Sequence, residues 1–270
     1  MGRYLLAQLR QSPQPQFALS GRLIEREVGN VVWLQGDLFG DMPDLVDANI
    51  ETIYSVGPLD GLAQWLCGAR LPALRRIVAL SSMSVEVKAD SSDGKERALA
   101  SQLRHSENEV IAFCQANAVA GVLLRPTLIY GAGVDRSVSA LLRFGHRWRL
   151  FPVISGATGL RQPIHADDLA AACISASSTA AIPTKTLAVG GGEQLSFADM
   201  LGRIRASLAV RTIPVPVPLM LARTALRLLR LHPRWRYLSE GLIDRLQLDQ
   251  IVDNGPACRD LHWRPRSFLP

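Results

Sequence analysis

Short apolar runs alternate with segments of helical periodicity along the first half of the chain. The apolar runs lie at residues 16–19, 31–34, 50–56, 76–80 and 120–124. The helical segments lie between them, at residues 2–10, 61–69 and 98–116. Because neighbouring parallel strands are joined by a crossover that is usually a helix, this alternation predicts an α/β fold: a doubly wound parallel sheet with helices on both faces.

The strand pattern weakens after Gly131, and helical patterns dominate the rest of the chain. These patterns lie at residues 137–144, 167–178 and 197–208. We therefore expect an α/β domain at residues 1–130 and a smaller, mostly helical part at residues 131–270. The helix near residues 167–178 is expected to return to the first domain.

Composition narrows the class of protein. The chain has 270 residues, of which 48% are hydrophobic, so it can bury a large core. Its four cysteines lie far apart without the spacing of a metal site, which is typical of reduced thiols in a cytoplasmic protein. No apolar run is long enough to span a membrane, and no secretion signal opens the chain. The sequence predicts a soluble cytoplasmic protein with no bound metal.

The basic character of the chain comes almost entirely from arginine. The net charge is +6, and only Lys88, Lys95 and Lys185 among the thirty basic residues are lysines. Arginine suits phosphate because its planar guanidinium donates two parallel hydrogen bonds. These arginines are dispersed, however, and no nucleic-acid-binding motif accompanies them. We therefore predict no nucleic-acid partner.

Three sequence strings are more specific than the composition. They are RIVALSS at residues 76–82, LRPTLIYG at residues 124–131 and RQPIHADDLA at residues 161–170. In this order and spacing they resemble the extended short-chain dehydrogenase/reductase family, in its NAD-dependent epimerase/dehydratase branch. The resemblance implies a Rossmann-like fold with NADP or NAD as cofactor in residues 1–130. It also implies a small-molecule substrate, such as a nucleotide sugar or another hydroxylated compound, held by residues 131–270.

The first element of the family's cofactor site has only a partial counterpart. Such a fold begins with a buried strand, a glycine loop and a helix whose N-terminus faces the pyrophosphate. Residues 1–9 resemble the end of that element, with Gly2 in the place of the last glycine, so the strand and the first two glycines would lie before residue 1. Without that central strand, buried ladder groups would be left unpaired at a cost of about 1–3 kcal/mol each.

Three outcomes follow from this expectation: the true start lies upstream, the flanking strands close up on each other, or another chain supplies the strand. A fourth interpretation is a simple helix with a chance glycine.

Residues after the next two strands are candidates for the rest of the cofactor site. Ser20 and Arg22 follow the first of these strands without an acidic residue, which favours NADP over NAD, although an arginine in an exposed turn is the alternative. Asp37 follows the next strand, where the family places an acid beside the adenine, although Gly36-Asp37 is also ordinary turn chemistry. The predicted cofactor-binding residues are thus Gly2, Ser20, Arg22 and Asp37.

The family's catalytic set is a Ser or Thr that polarises the substrate, a Tyr that transfers a proton, and a Lys four residues after the Tyr. Ser82 stands in the first place, and a strand-end serine that pairs with backbone groups is the alternative. None of the four tyrosines is followed by a lysine at that spacing.

The place of the missing pair depends on the acid that follows it. Alignment through Glu107 puts Leu99 and Leu103 in the two catalytic places, whereas alignment through Glu109 puts Ser101 and His105 there. In the second case His105, with Ser82, is a candidate for proton transfer, because imidazole titrates near neutrality. An exposed helix histidine is the alternative.

Two further features complete the predicted site. In the string at residues 161–170, Arg161 is the candidate substrate contact, and Asp167 or Asp168 is expected to cap a helix. Farther on, residues 219–230 form a basic amphipathic pattern that includes Arg223. It suits an anionic membrane surface, the phosphate of a nucleotide sugar, or a helix packed on the domain with a solvated basic face.

The sequence thus predicts an NAD(P)-dependent epimerase, dehydratase or reductase homologue. The alternative is a noncatalytic relative that senses nucleotide or serves in assembly, with an oligomer or peripheral membrane contact as further options.

Overall fold

The computed structural model describes residues 1–11, 14, 16–20, 30–131, 133, 135, 137–179, 183–230 and 241–270. Its helices are α1 Gly2–Leu9, α2 Leu59–Leu66, α3 Ser84–Val87, α4 Gly94–Ala116, α5 Val138–Trp148, α6 Ala166–Ser178, α7 Phe197–Ala206, α8 Leu219–Arg230, α9 Gly241–Asp244 and α10 Gly255–Leu261. Its strands are β1 Gln16–Ser20, β2 Val31–Gln35, β3 Thr52–Ser55, β4 Arg76–Leu80, β5 Ala120–Pro126, β6 Ile129–Tyr130, β7 Leu150–Ser155, β8 Leu160–Arg161, β9 Ile164–His165, β10 Lys185–Val189, β11 Leu195–Ser196 and β12 Ile213–Pro218.

The central sheet is parallel and has the strand order β10-β5-β4-β3. Val78 of β4 faces Tyr54 of β3 on one side and Val122 of β5 on the other. The α/β fold with a parallel sheet is therefore confirmed, as are the five predicted strands. The edge strand β10 was not predicted, although it pairs with β5 along its whole length.

Side chains that point alternately to the two faces of the central sheet are buried on both faces. Ile77 and Ala79 pack with α2 and α4 on one face. Val78 and Leu80 pack on the other face, in a cluster to which α1, α6 and α10 contribute. Successive side chains of a strand point to opposite faces, so a strand covered on both sides is apolar throughout. This is why β4 and β5 read as continuous apolar runs.

Strands β1 and β2 form a parallel pair of their own. In the part of the chain that the structure describes, no ladder joins β1 to β3, the two strands that would flank a first central strand. The expected outcome in which these flanking strands close up on each other is therefore not what is seen.

The C-terminal part packs around a second parallel pair, β7 and β12. Helices α5 and α7 bury Val138, Leu201 and Ile204 against Phe151 of β7. Helix α8 and the segment at 241–246 form a smaller cluster around Ala157. Among the described residues, no helix is long and apolar enough to cross a membrane. The division at residues 130 and 131 stays a prediction, since α6 and β10 belong to the first core.

Candidate functional site

The carboxyl ends of β3, β4, β5 and β10 meet at one edge of the sheet, because all four strands are parallel. In open α/β sheets this edge is where ligands bind. The Ser81 N–H donates to the Leu124 carbonyl at 2.8 Å, and the Met83 N–H donates to the Pro126 carbonyl at 3.2 Å. These bonds continue the ladder past β4, so Ser82 is held at this edge.

The Ser82 side chain also serves its own backbone. Its Oγ accepts a hydrogen bond from the Ser84 N–H at 3.1 Å, at the start of α3. This contact agrees with the alternative of a strand-end serine that pairs with backbone groups. The polarising role of Ser82 stays a prediction.

A buried carboxylate organises the edge beside Ser82. Glu107 of α4 is 2% exposed. It accepts from Arg125 Nε at 2.8 Å and Nη2 at 2.5 Å, and from Ser81 Oγ at 2.5 Å. The remaining Arg125 nitrogen, Nη1, reaches Glu86 at 2.6 Å. The hydrogen bonds that Arg125 donates to Glu107 raise the pKa of Arg125, which burial alone would lower. This cluster fixes which face of α4 points towards the site.

That orientation favours one of the two predicted alignments. Leu103 and Leu99 lie one and two turns before Glu107 and therefore share its face. His105 and Glu109 share another face: His105 is 75% exposed and pairs with Glu109 at 3.3 Å. Among the described residues, no hydrogen bond joins His105 to Ser82. Leu99 and Leu103, and not Ser101 and His105, thus lie towards the side of α4 that carries Glu107. A catalytic role for His105 stays a prediction.

The first turn of α1 lies at the same edge. A Cβ at Gly2 would come 3.7 Å from Cγ2 of Val56, which directly follows β3. No side chain caps this turn within the described part of the chain. The first N–H groups of a helix have no intrahelical partner, and the positive end of the helix dipole favours anions. The position therefore fits the pyrophosphate of a dinucleotide.

The structure says less about the other predicted cofactor-binding residues. Asp37 lies in a turn after β2, where its Oδ1 accepts from the Phe39 N–H at 3.0 Å. Arg22 and the side chain of Ser20 lie outside what the structure describes. Their roles, and the preference for NADP, stay predictions.

Arg161, the predicted substrate contact, is almost fully buried and donates to backbone carbonyls. It is 4% exposed, and its guanidinium donates to the carbonyls of Leu248 at 2.8 Å and Arg245 at 2.6 Å. Its Cζ lies 5.3 Å from the centre of the Phe197 ring. Burial lowers the pKa of Arg161 to about 10. The described contacts hold the segment at 245–248 in place, and a role in substrate binding stays a prediction.

The N-cap of α6 is neither Asp167 nor Asp168, so that expectation was wrong. The cap is His165, whose Nδ1 accepts from the Asp167 N–H at 3.2 Å, and Asp167 and Asp168 instead pair with Arg266. Burial, and then the charge of Arg266, lower the pKa of His165. Gln8 of α1 donates to Asp167 at 2.7 Å. This cluster joins α1, α6 and the C-terminal segment, and its only sequence signal was the string at 161–170.

Comparisons with known proteins agree with this geometry. The model of the NAD dependent epimerase/dehydratase family matches residues 76–190. UDP-glucose 4-epimerase of Vibrio cholerae is 22% identical over 164 residues, which are 61% of this chain and about half (48%) of that protein.

Solved structures cover nearly the whole chain. MoeE5, in complex with UDP-glucose and NAD, has a TM-score of 0.71 at 20% identity, covering 99% of this chain and 91% of that one. UDP-N-acetylglucosamine 4-epimerase of Bacillus cereus has a TM-score of 0.69 at 13% identity, covering 99% and 88%. At these identities the likeness shows the fold. The predicted resemblance and the Rossmann-like architecture are confirmed.

Proposed function

Because residues 76–190 match the model of the NAD dependent epimerase/dehydratase family, we propose that the protein binds a nicotinamide dinucleotide and a nucleotide-sugar-like substrate and acts as an epimerase, dehydratase or reductase. The observation that carries this proposal is the uncapped first turn of α1 beside Val56, at the edge where Ser82 also lies. The similar proteins support it, since their names include UDP-glucose and NAD.

Six of the predicted residues have a role in this proposal, which assigns none to His105. The N-terminus of α1 holds the pyrophosphate, and Gly2 lets it approach closely. We assign Asp37 to the adenine end and Ser20 and Arg22 to the adenosine ribose, because an arginine suits the extra phosphate of NADP. Ser82 polarises the substrate and Arg161 contributes to its binding. The bound dinucleotide supplies hydride transfer.

A second candidate function is favoured by the leucines on the side of α4 that carries Glu107. Leu99 lies two turns before Glu107 on α4 and is 39% exposed. Loss of a placed acid or base typically lowers the rate by about 10²–10⁴. In this second candidate, the protein binds the same ligands without turnover and senses nucleotide or serves in assembly.

Cofactor binding is tested by calorimetry with NADH, NADPH and UDP-glucose on two variants of α1. Gly2→Glu places a carboxylate at the first turn, where it favours the helix but repels a pyrophosphate. Ala7→Glu adds the same charge on an exposed position of the same helix. We expect Gly2→Glu to remove dinucleotide binding and Ala7→Glu to keep it. Equal binding by both variants, or none by the unchanged chain, would contradict the proposed site.

Turnover separates the two candidates. If the unchanged chain interconverts a nucleotide sugar in the presence of NAD and Ser82→Ala lowers the rate, the protein is an enzyme. If it binds both ligands without turnover, and the double variant Leu99→Tyr/Leu103→Lys gains turnover, the noncatalytic candidate is supported. If neither the unchanged chain nor the Leu99→Tyr/Leu103→Lys variant shows turnover, the edge is not arranged for this chemistry.

A further inference from the structure

Many of the exposed apolar side chains lie in the C-terminal part of the chain. Sixteen large hydrophobic side chains are exposed among the described residues, and eight of them lie in two short segments. We call these eight the apolar surface; they are Phe144, Trp148, Leu150, Ile213, Val215, Met220, Leu221 and Leu228. Scattered single residues of this kind are normal, but a cluster marks an interaction site.

The strand members of the apolar surface share one face. Ile213 of β12 and Leu150 of β7 are direct partners in the parallel ladder. Val215 lies two residues farther along β12 and so points to the same side. Phe151 points to the other side and is fully buried. On β7 the opposite face is anchored in the core by Phe151, whereas on β12 Pro214 and Pro216 of the opposite face are exposed as well.

Helix α8 continues this surface, because it begins where β12 ends. Leu219, Ala222 and Leu226 face inward, and the first two pack in one cluster with Ile154 of β7. The helix also has a second apolar side: Met220 is 83% exposed and Leu221 is 62% exposed. The expected amphipathic helix is thus only half packed, since apolar residues extend beyond the face that the domain covers.

Arginine predominates in the two stretches of sequence that carry the apolar surface, although Arg223 of α8 pairs with Asp244. No Asp or Glu occurs in residues 136–166 or 200–239, while these stretches hold thirteen arginines. Arg147, Arg149 and Arg211 are exposed and make no ion pair within the described part of the chain. Arg147 stacks over Trp148, with its Cζ 5.2 Å from the ring centre. Arginines and tryptophan beside exposed aliphatic side chains are typical of a surface at the boundary between lipid headgroups and acyl chains.

We propose that the apolar surface docks on an anionic lipid bilayer, with Trp148, Ile213, Met220 and Leu221 inserted among the acyl chains and the arginines at the headgroups. The charge complementarity selects this occupant, because a second copy of the chain would bring the same positive charge against it. Pairing with a further strand is also disfavoured, since prolines occupy alternate positions of β12 and remove backbone donors.

Vesicle flotation with the full chain tests this proposal. We expect the protein to float with vesicles of phosphatidylcholine and phosphatidylglycerol at low salt, and not with phosphatidylcholine alone. The variant Met220→Glu/Leu221→Glu should bind more than about tenfold more weakly, because two large apolar side chains no longer insert. The triple variant Arg147→Gln/Arg149→Gln/Arg211→Gln should bind on the order of a hundredfold more weakly. The control Leu269→Glu changes a side chain that is 71% exposed outside the apolar surface and should bind normally.

Circular dichroism of each variant establishes that it is folded. Quenching of Trp148 fluorescence by a spin-labelled lipid, compared with Trp148→Phe, locates the contact. No flotation with the anionic vesicles would overturn the proposal, as would equal flotation of the Met220→Glu/Leu221→Glu variant. If the unchanged chain is a dimer in solution and the Met220→Glu/Leu221→Glu variant is a monomer, the apolar surface binds a second copy of the chain instead.

Discussion

Replacement of Glu107 by glutamine is expected to destabilise the protein strongly although it keeps the size of the side chain. The carboxylate is almost fully buried, and both of its oxygens accept from the Arg125 guanidinium while one also accepts from Ser81. Removing one partner of a buried ion pair costs about 3–5 kcal/mol. Arg125 keeps Glu86 as a partner and is partly exposed, so we expect the lower end, about 3 kcal/mol.

That loss is large beside the total of about 5–15 kcal/mol that stabilises a domain. It corresponds to a fall of roughly 6–12 °C in melting temperature for a chain of this size. Glu109 provides a matched control on the same helix, because its side chain is 41% exposed and pairs only with the exposed His105 among the described ion pairs. Glu109→Gln should change the free energy of unfolding by less than about 1 kcal/mol.

Urea unfolding of both variants, followed by circular dichroism, measures the difference. Similar slopes against urea would show that the unfolded and native states expose similar surface in each variant. If Glu107→Gln were as stable as Glu109→Gln, the interpretation of Glu107 as the residue that orients α4 would be wrong, and with it the choice of Leu99 and Leu103 as the site-facing pair.

Three further predictions concern the core and the loop after β6. Gly131→Ala should destabilise the protein by at least about 2 kcal/mol more than Gly133→Ala in urea unfolding. Both glycines have positive φ, but only a Cβ at Gly131 would meet a neighbour, since it would lie 2.6 Å from Nε2 of His165. Equal losses of stability in the two variants would refute this contact. A maleimide should label exposed Cys67 in the native protein, and buried Cys114 and Cys173 only after denaturation, which mass spectrometry distinguishes; rapid native labelling of Cys173 would contradict its burial. Burial raises the pKa of Cys114 to about 11 and of Cys173 to about 12. The thiols of the unfolded chain therefore ionise at lower pH than those of the folded protein, and the free energy of unfolding should fall as pH rises from about 9. The variant Cys114→Ala/Cys173→Ala should show a shallower fall, and an equally steep fall would argue against the buried thiols as its cause.

Local sequence patterns predicted most of the first domain correctly because the strands are buried on both faces. Residues 76–80 and 120–124 are continuous apolar runs, and such runs in a parallel sheet have few alternatives. Strand β10 escaped the same reasoning, since it begins with Lys185 and Thr186 and lies at the sheet edge, where only some side chains are buried. Its pairing with β5 is a long-range property that no local pattern encodes.

The site was predicted less completely than the fold. The sequence proposed Ser82, Arg161 and both candidate glutamates as candidates, but a helix alone does not reveal which of its faces meets the sheet. Only the contact between Glu107 and Arg125 decides that question. In the same way, the family resemblance of the string at residues 161–170 suggested a ligand contact for Arg161, while the fold surrounds its guanidinium with backbone carbonyls. Side-chain environment depends on segments distant in sequence, which explains these differences.

The most direct test of the proposed site is hydrogen–deuterium exchange with and without saturating NADH. The account predicts slower exchange in the first turn of α1, in the residues that follow β3 and in the segment around Ser82, because these lie together at the carboxyl edge of the sheet. Exchange unchanged at all three segments, or slowed only elsewhere in the chain, would show that this edge does not bind the dinucleotide.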